Sequence, residues 1–406
     1  MKKLLTFAVC LATLASASAQ KENVEAAKKL SGKFDKLEDA RSLIKQAMEN
    51  PATANDGNTY YIAGKIEFDA FNKGLQEKMI NPNSPSADPV KMAEELLNGY
   101  QWFIKALPMD SVPNEKGEIK PKYSKDIVGK LAGHTVDYFT GGGAMWEAKR
   151  YYPEAYQCFM IYGDMPDLAF LGNKAPKLEA ADRAQAYYNA GIAAYSGNAV
   201  PEAATAFHKA RIAGSDDPNV YIYELACWQN IAQNDSTQGA VAEKNIYEIA
   251  KAGYDKFGLE QPVFLNNLVN TYVLAEDYES ALATINNLLA TNPDSANLYG
   301  LRGFVYDRCN EDQKSIDDYL KAVSYEDCDF ENLKNAAKKL LRVGATKINE
   351  VAANDTNGKL QVRNTYYEPA LKIANRAKEM NANDSDLEYV LENINYAIDT
   401  YFPANR

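Results

Sequence analysis

The side chains that could do chemistry are few and scattered in this chain of 406 residues. Two histidines stand apart: His134 in "LAGHTVDYF", and His208 between Phe207 and Lys209. Neither belongs to an H-E-x-x-H ligand pair, and no two cysteines have zinc spacing. Gly-Lys occurs at Gly32, Gly64, Gly129 and Gly358 but is never followed by Ser or Thr, so there is no phosphate-cradling P-loop. In "TGGGAMW", from Thr140, Trp146 stands where a dinucleotide fingerprint needs its third glycine, and no strand precedes it. These glycines read instead as a helix start with close packing at Gly143. "ANDTNGK" puts Ala353 at the first ligand position of a calcium loop and Asn364 where the bidentate glutamate belongs. No G-x-S-x-G nucleophile elbow is present. Carboxylate pairs such as Asp317/Asp318 fall on an expected solvated helix face. No enzyme activity, cofactor or metal is expected.

The elements around these residues begin with a segment outside the fold. Residues 1–19 combine a basic "MKK", an apolar run from Leu4 to Leu14 and an Ala17-x-Ala19 cleavage pattern. That is a secretory signal peptide with mature start Gln20, so the chain is expected to be periplasmic or secreted. Cys10 sits in mid-run rather than at its end, so no lipoprotein is expected. No later segment is apolar enough to span a bilayer. Formal charge is −11, and loss of Lys2 and Lys3 makes it −13, which argues against nucleic-acid binding. Cys158, Cys227, Cys309 and Cys328 are too few and too scattered for a disulfide scaffold and are expected as free thiols. Three Asp-Ser-x triplets, at Asp110, Asp235 and Asp294, read as caps and turns, with O-glycosylation as the alternative.

The rest of the chain repeats itself. A small residue, a bulky one at +4 and a small or aliphatic one at +7 recur at Ala203/Phe207/Ala210, Ala281/Ile285/Leu288, Ser315/Tyr319/Ala322 and Ala370/Ala374/Ala377. Weaker copies are Ala40/Ile44/Ala47, Gly99/Phe103/Ala106 and Ala155/Phe159/Tyr162. These offsets share one helical face. Upstream of most copies a second amphipathic segment carries its own pair, among them Tyr60…Gly64, Tyr187…Gly191 and Tyr299…Gly303. Asn292-Pro293 must end one helix, and Asp294 or Ser295 can cap the next. Units start at Ala184, Pro218, Pro262, Ala296 and Phe330, with an insertion near "NDSTQGAVAEKN".

This arrangement resembles the tetratricopeptide repeat (TPR) family, most specifically over 262–329, where Leu265, Leu268, Tyr272, Tyr278, Ala281 and Pro293 match family positions. The resemblance implies an all-α, right-handed superhelical solenoid. Divergent hairpins with long loops are expected over 20–180, a TPR array over 181–385, and a capping helix with tail over 386–406. It further implies an exported, non-enzymatic scaffold that binds a partner protein or extended peptide on the concave face, lined by the first helix of each unit. Tyr188, Ile192, Tyr195, Asn266, Asn270, Phe304, Arg308, Lys334 and Lys338 take that face. Its character runs from aromatic through amide to basic, so the partner is expected to present an acidic or C-terminal segment to the 296–342 end and an apolar one to the 184–196 end. Asn266 occupies the place of the family's clamping lysine, against a carboxylate clamp. The alternative is an envelope glycan- or small-ligand-binding helical-repeat protein.

Ala281→Arg forces a charge into the tightest expected seam, at a cost of several kcal/mol. Circular dichroism and thermal melting should show at least units 262–329 unfolded; a wild-type melt would refute the register.

Overall fold

Amphipathic runs such as those of residues 37–49, 312–323 and 330–350 form helices that turn chemistry closes. The structure, a computed structural model, describes residues 21–113 and 116–402; the expected signal peptide lies outside these. Contact density divides the chain into two compact units, Met1–Ala242 and Glu243–Arg406. The boundary falls within a helix, whereas the sequence pattern changes character at 180/181.

The first unit contains α1 (21–31), α2 (Leu37–Glu49), α3 (Gly57–Ile80), α4 (Pro89–Asp110), α5 (Ser124–Gly133), α6 (Thr135–Glu147) and α7 (Tyr152–Asp164). It continues with α8 (Ala180–Ser196), α9 (Val200–Ile212) and α10 (Pro218–Asn234), and α11 (Gly239–Phe257) starts at its end. The second unit carries α12 (Pro262–Leu274), α13 (Tyr278–Thr291), α14 (Ala296–Arg308) and α15 (Asp312–Val323). It ends with α16 (Phe330–Glu350), α17 (Thr356–Val362), α18 (Glu368–Met380) and α19 (Ser385–Tyr401). No strand occurs among the described residues. The protein is an all-α stack of helical hairpins. Four of the five expected unit starts coincide with helix starts; the unit placed at Ala184 begins one turn earlier, at Ala180.

The recurring small–bulky–small face is the core. Every position of the seven copies is buried except Leu288, which is half-buried. Burying each aliphatic or aromatic side chain contributes about 1.5–3 kcal/mol, and no single hairpin holds enough of them to stand alone. Within a pair, the second helix leans a ring into the first where a glycine leaves room. A Cβ on Gly191 would stand 2.6 Å from the Phe207 ring, one on Gly64 2.3 Å from Phe103, and one on Gly303 3.2 Å from Tyr319.

Turns repeat too. Lys149, Asn198, Glu276 and Asn310 each adopt φ near +60° just after the first helix of a hairpin. At three of them the next residue's N–H closes a wider ring: Ala199 to the Ala194 carbonyl, Asp277 to Tyr272, Glu311 to Tyr306. This left-handed cap satisfies orphan carbonyls and reverses the chain in the same way each time. The cap reading of the Asp-Ser triplets fits Ser295, which accepts the Leu298 N–H, and Asp235, which accepts that of Thr237. Asp110 does more. Its carboxylate accepts the N–H groups of Lys122, Tyr123 and Ser124, tying the start of α5 to the end of α4.

The triple glycine differs from expectation. It lies inside α6, not at its start, and the packed positions are Gly141 and Gly142 rather than Gly143. A Cβ on Gly142 would stand 2.9 Å from the Phe159 ring, whereas one on Gly143 meets nothing within 4 Å. Trp146, on the same helix, is 43% exposed. Gly143→Ala should stabilise the protein by about 0.5–1 kcal/mol through helix propensity. Gly142→Ala should destabilise it by about 1–2 kcal/mol, since overpacking outweighs that gain; chemical denaturation of the pair measures both signs.

Candidate functional site

The expected concave residues of the second unit come from helices that pack in sequence, α12 on α14 and α14 on α16. Asn266 and Asn270 sit four residues apart on α12, both exposed, with no side-chain hydrogen-bond partner among the described residues. Phe304 on α14 is half-buried, and the Arg308 guanidinium lies 5.7 Å from its ring centroid. Two amides on α12, and a ring and a cation on the α14 that packs against it, make up the candidate patch.

Lys334 and Lys338 on α16 do not extend that patch as an open basic strip. The Lys334 ammonium is buried, bonding Glu331 at 3.0 Å and Asp384 at 3.2 Å, and Lys338 meets Asp386 at 2.9 Å. The acidic start of the last helix occupies the place reserved for a partner's acidic segment, which corrects the sequence expectation. Burial pushes the Lys334 ammonium down, and the carboxylates of Glu331 and Asp384 more than restore it, leaving it above the ordinary lysine value. Next to it, Lys339 is almost inaccessible and bonds Asp307 and Asp312, each at 2.5 Å; Arg342 also bonds Asp307. The basic end of the face is internally neutralised. The sequence hid this because the partners lie some fifty residues downstream, although the acidic Asp384-Ser-Asp386 cap was in plain view.

In the first unit, Tyr188 and Ile192 on α8 are half-buried and Tyr195 is 49% exposed. Tyr188 packs on Phe207 and on Tyr223 of α10, with ring centroids 6.0 and 6.3 Å apart, so its ring serves the stack as well as the surface. His208 and Arg211 enclose the fully buried carboxylate of Glu224, at 3.0 and 2.6 Å. That is a structural ion pair between α9 and α10. His134 bonds Asp137 and packs against Phe68 and Phe71. Cys158, Cys227, Cys309 and Cys328 are free, and burial pushes the Cys227 thiol up to about 12.

A groove the sequence did not indicate lies among α2, α3 and α4, with a volume of about 510 Å³. Trp102 stacks on Tyr60 at 5.9 Å, the Lys105 ammonium caps that ring at 4.1 Å, and Arg41 also lines the groove. Arg41 holds both oxygens of Glu67 and reaches Glu95, whose second oxygen is buried without a partner. Burial raises the Glu95 carboxyl above its usual range despite Arg41.

What fold and packing define is an all-α helical-repeat protein built of TPR-like hairpins. By sequence the chain matches no protein-family model and no curated protein. Among solved structures it superposes on a chain of the Cut9–Hcn1 hetero-tetramer of the APC/C (12% identity, TM-score 0.34), covering 89% of this chain and 59% of that one. It also superposes on yeast Tom70 (13%, TM-score 0.33, covering 94% and 90%) and on the P58(IPK) TPR domain (15%, TM-score 0.27, covering 95% and 100%). Superpositions this loose carry no functional inference, and the class rests on helix order and packing.

Asp384→Asn keeps the helix cap, because asparagine caps as well as aspartate, and removes the charge facing Lys334. The Asp384 carboxyl sits below its ordinary value, mainly through the Leu387 N–H, with burial opposing and Lys334 and Lys338 assisting. A depressed carboxylate stabilises above its unfolded pKa of about 3.9 and loses that effect as pH falls. The variant should therefore melt below wild type at pH 7, with the gap closing as pH is lowered through 4.

Proposed function

We propose that this chain is an exported, non-catalytic scaffold that holds an extended segment of a partner protein against the first helices of its hairpins. The observation that carries the reading is the open patch of Asn266, Asn270, Phe304 and Arg308. Two primary amides on one helix face donate to and accept from an extended backbone, which otherwise loses its hydrogen bonds to water on docking. Phe304 offers the adjoining apolar contact. With Lys334 and Lys338 held by the chain's own carboxylates, the segment bound here is neutral rather than acidic. Tyr195 and Ile192 give the first unit a corresponding apolar surface. Export rests on residues 1–19, and a mature N-terminus at Gln20 in an envelope or culture fraction is its check.

The glycan- or small-ligand reading is favoured by one feature, the Trp102–Tyr60 groove between Arg41 and Lys105. Quenching of tryptophan fluorescence by oligosaccharides, abolished in Trp102→Ala, would move the assignment there.

The deciding experiment immobilises the full mature chain, exposes it to envelope extract and identifies retained proteins by mass spectrometry. Asn266→Ala with Asn270→Ala should weaken the retained partner by about 2 kcal/mol, roughly thirtyfold in Kd, from two lost hydrogen-bonding groups. Equal retention by a variant that melts like wild type would end the assignment.

A further inference from the structure

We infer that the trough along α5 is a second docking site, specific for an acidic peptide segment of a partner protein. It lies in the first unit and does not depend on the amide patch of the second. The trough has a volume of about 600 Å³ and is lined by Lys122, Lys125, Asp126, Gly129, Lys130 and His134.

Its charge is open, unlike that of α16. No carboxylate among the described residues lies within ion-pair reach of Lys122, Lys125 or Lys130. The acids nearby are already engaged. Asp110 accepts the backbone N–H groups at the start of α5, Asp126 accepts the Tyr61 hydroxyl at 3.1 Å, and Asp137 bonds His134 at 2.8 Å. Three lysines and a single carboxylate, that of Asp126, thus line the trough in a chain whose formal charge is −11. Such a patch attracts anions against the field of the rest of the molecule.

The shape selects among anions. The lysines border a shallow, open trough along one helix. A single phosphate would engage one ammonium and leave the others unpaired. Lys125 and Lys130 are separated by about 7.5 Å along the helix axis. In an extended peptide, side chains on one side recur at about 6.6–7 Å. A strand that carries several carboxylates therefore spans the length over which the lysines are spread. Between them, a Cβ on Gly129 or on Gly133 would meet nothing within 4 Å, so the helix surface is bare enough for a peptide main chain to lie on it.

The probe is a fluorescein-labelled decapeptide of alternating glutamate and serine, titrated with the full mature chain by fluorescence anisotropy. Its control is the same peptide with glutamine for glutamate. The glutamate peptide should bind at low salt and weaken as salt is added, because exposed pairs are screened over about 8 Å at physiological ionic strength. The control should not bind. Lys122→Gln with Lys125→Gln and Lys130→Gln should weaken binding roughly tenfold, whereas Lys338→Gln should leave it unchanged. Gly129→Glu, at an open position, provides a second variant that folds without strain and should also weaken it. Asn266→Ala with Asn270→Ala should leave this affinity intact, so failure here and failure of the scaffold reading are separable. Wild-type affinity in the folded triple variant would overturn the assignment. Tighter lysine-dependent binding of polyphosphate or of phosphatidylglycerol vesicles would overturn the peptide class.

Discussion

The whole stack depends on how closely two helices can approach, and here that approach is set by a ring lying where a Cβ would otherwise stand. Phe207 over Gly191, Phe159 over Gly142 and Phe103 over Gly64 are the same contact made in successive hairpins. A glycine in a helix costs about 1 kcal/mol against alanine; burying a phenylalanine against it contributes about 1.5–3 kcal/mol. The ring wins. Once the first and second helices are fixed at that distance, the left-handed turn residues follow, and the outward edges of the first helices become the surface on offer.

Which parts of that surface are open is decided by ionic bookkeeping within the chain. On α16 the lysines are consumed by Asp384, Asp386, Asp307 and Asp312, so positive sequence there makes a neutral, welded end. On α5 the reverse holds: Asp110 accepts backbone N–H groups, and Lys122, Lys125 and Lys130 have no carboxylate partner among the described residues. Arg376 shows the same economy in another form: its guanidinium donates to the Val323, Tyr325 and Glu326 carbonyls and closes the end of α15. A buried or half-buried ion in this molecule is a joint; an exposed, unpaired one is a handle.

The fold was legible in the sequence to the extent that it is local. Period, turn proline, small–bulky–small face and glycine–aromatic pairs all act within a few dozen residues, and they gave helix starts at Pro218, Pro262, Ala296 and Phe330 and a last helix opening one residue from Asp386. The candidate surface was legible only in part. Asn266, Asn270 and Arg308, placed on an open helix face by the family resemblance, are exposed. Lys334 could not be read correctly, because its partner at Asp384 arrives through two further helices. The groove at Arg41 and Trp102 was missed for the same reason, being assembled from three helices whose relative depth no pattern states. Gly143 was mistaken for its neighbours because a period of 3.6 blurs adjacent positions, and only the contact distance separates them.

The ring-over-glycine contact also bears on how such a chain acquires its structure. Gly191 meets Phe207 and Gly303 meets Tyr319 across a single turn, so the decisive contacts close short loops whose entropy cost is small. Chains dominated by near-neighbour contacts fold fast, and folding that needs only the adjacent hairpin can proceed from one end. A chain emerging slowly from a ribosome or a translocation pore would never have to wait for its far terminus before committing its first hairpins to their native partners.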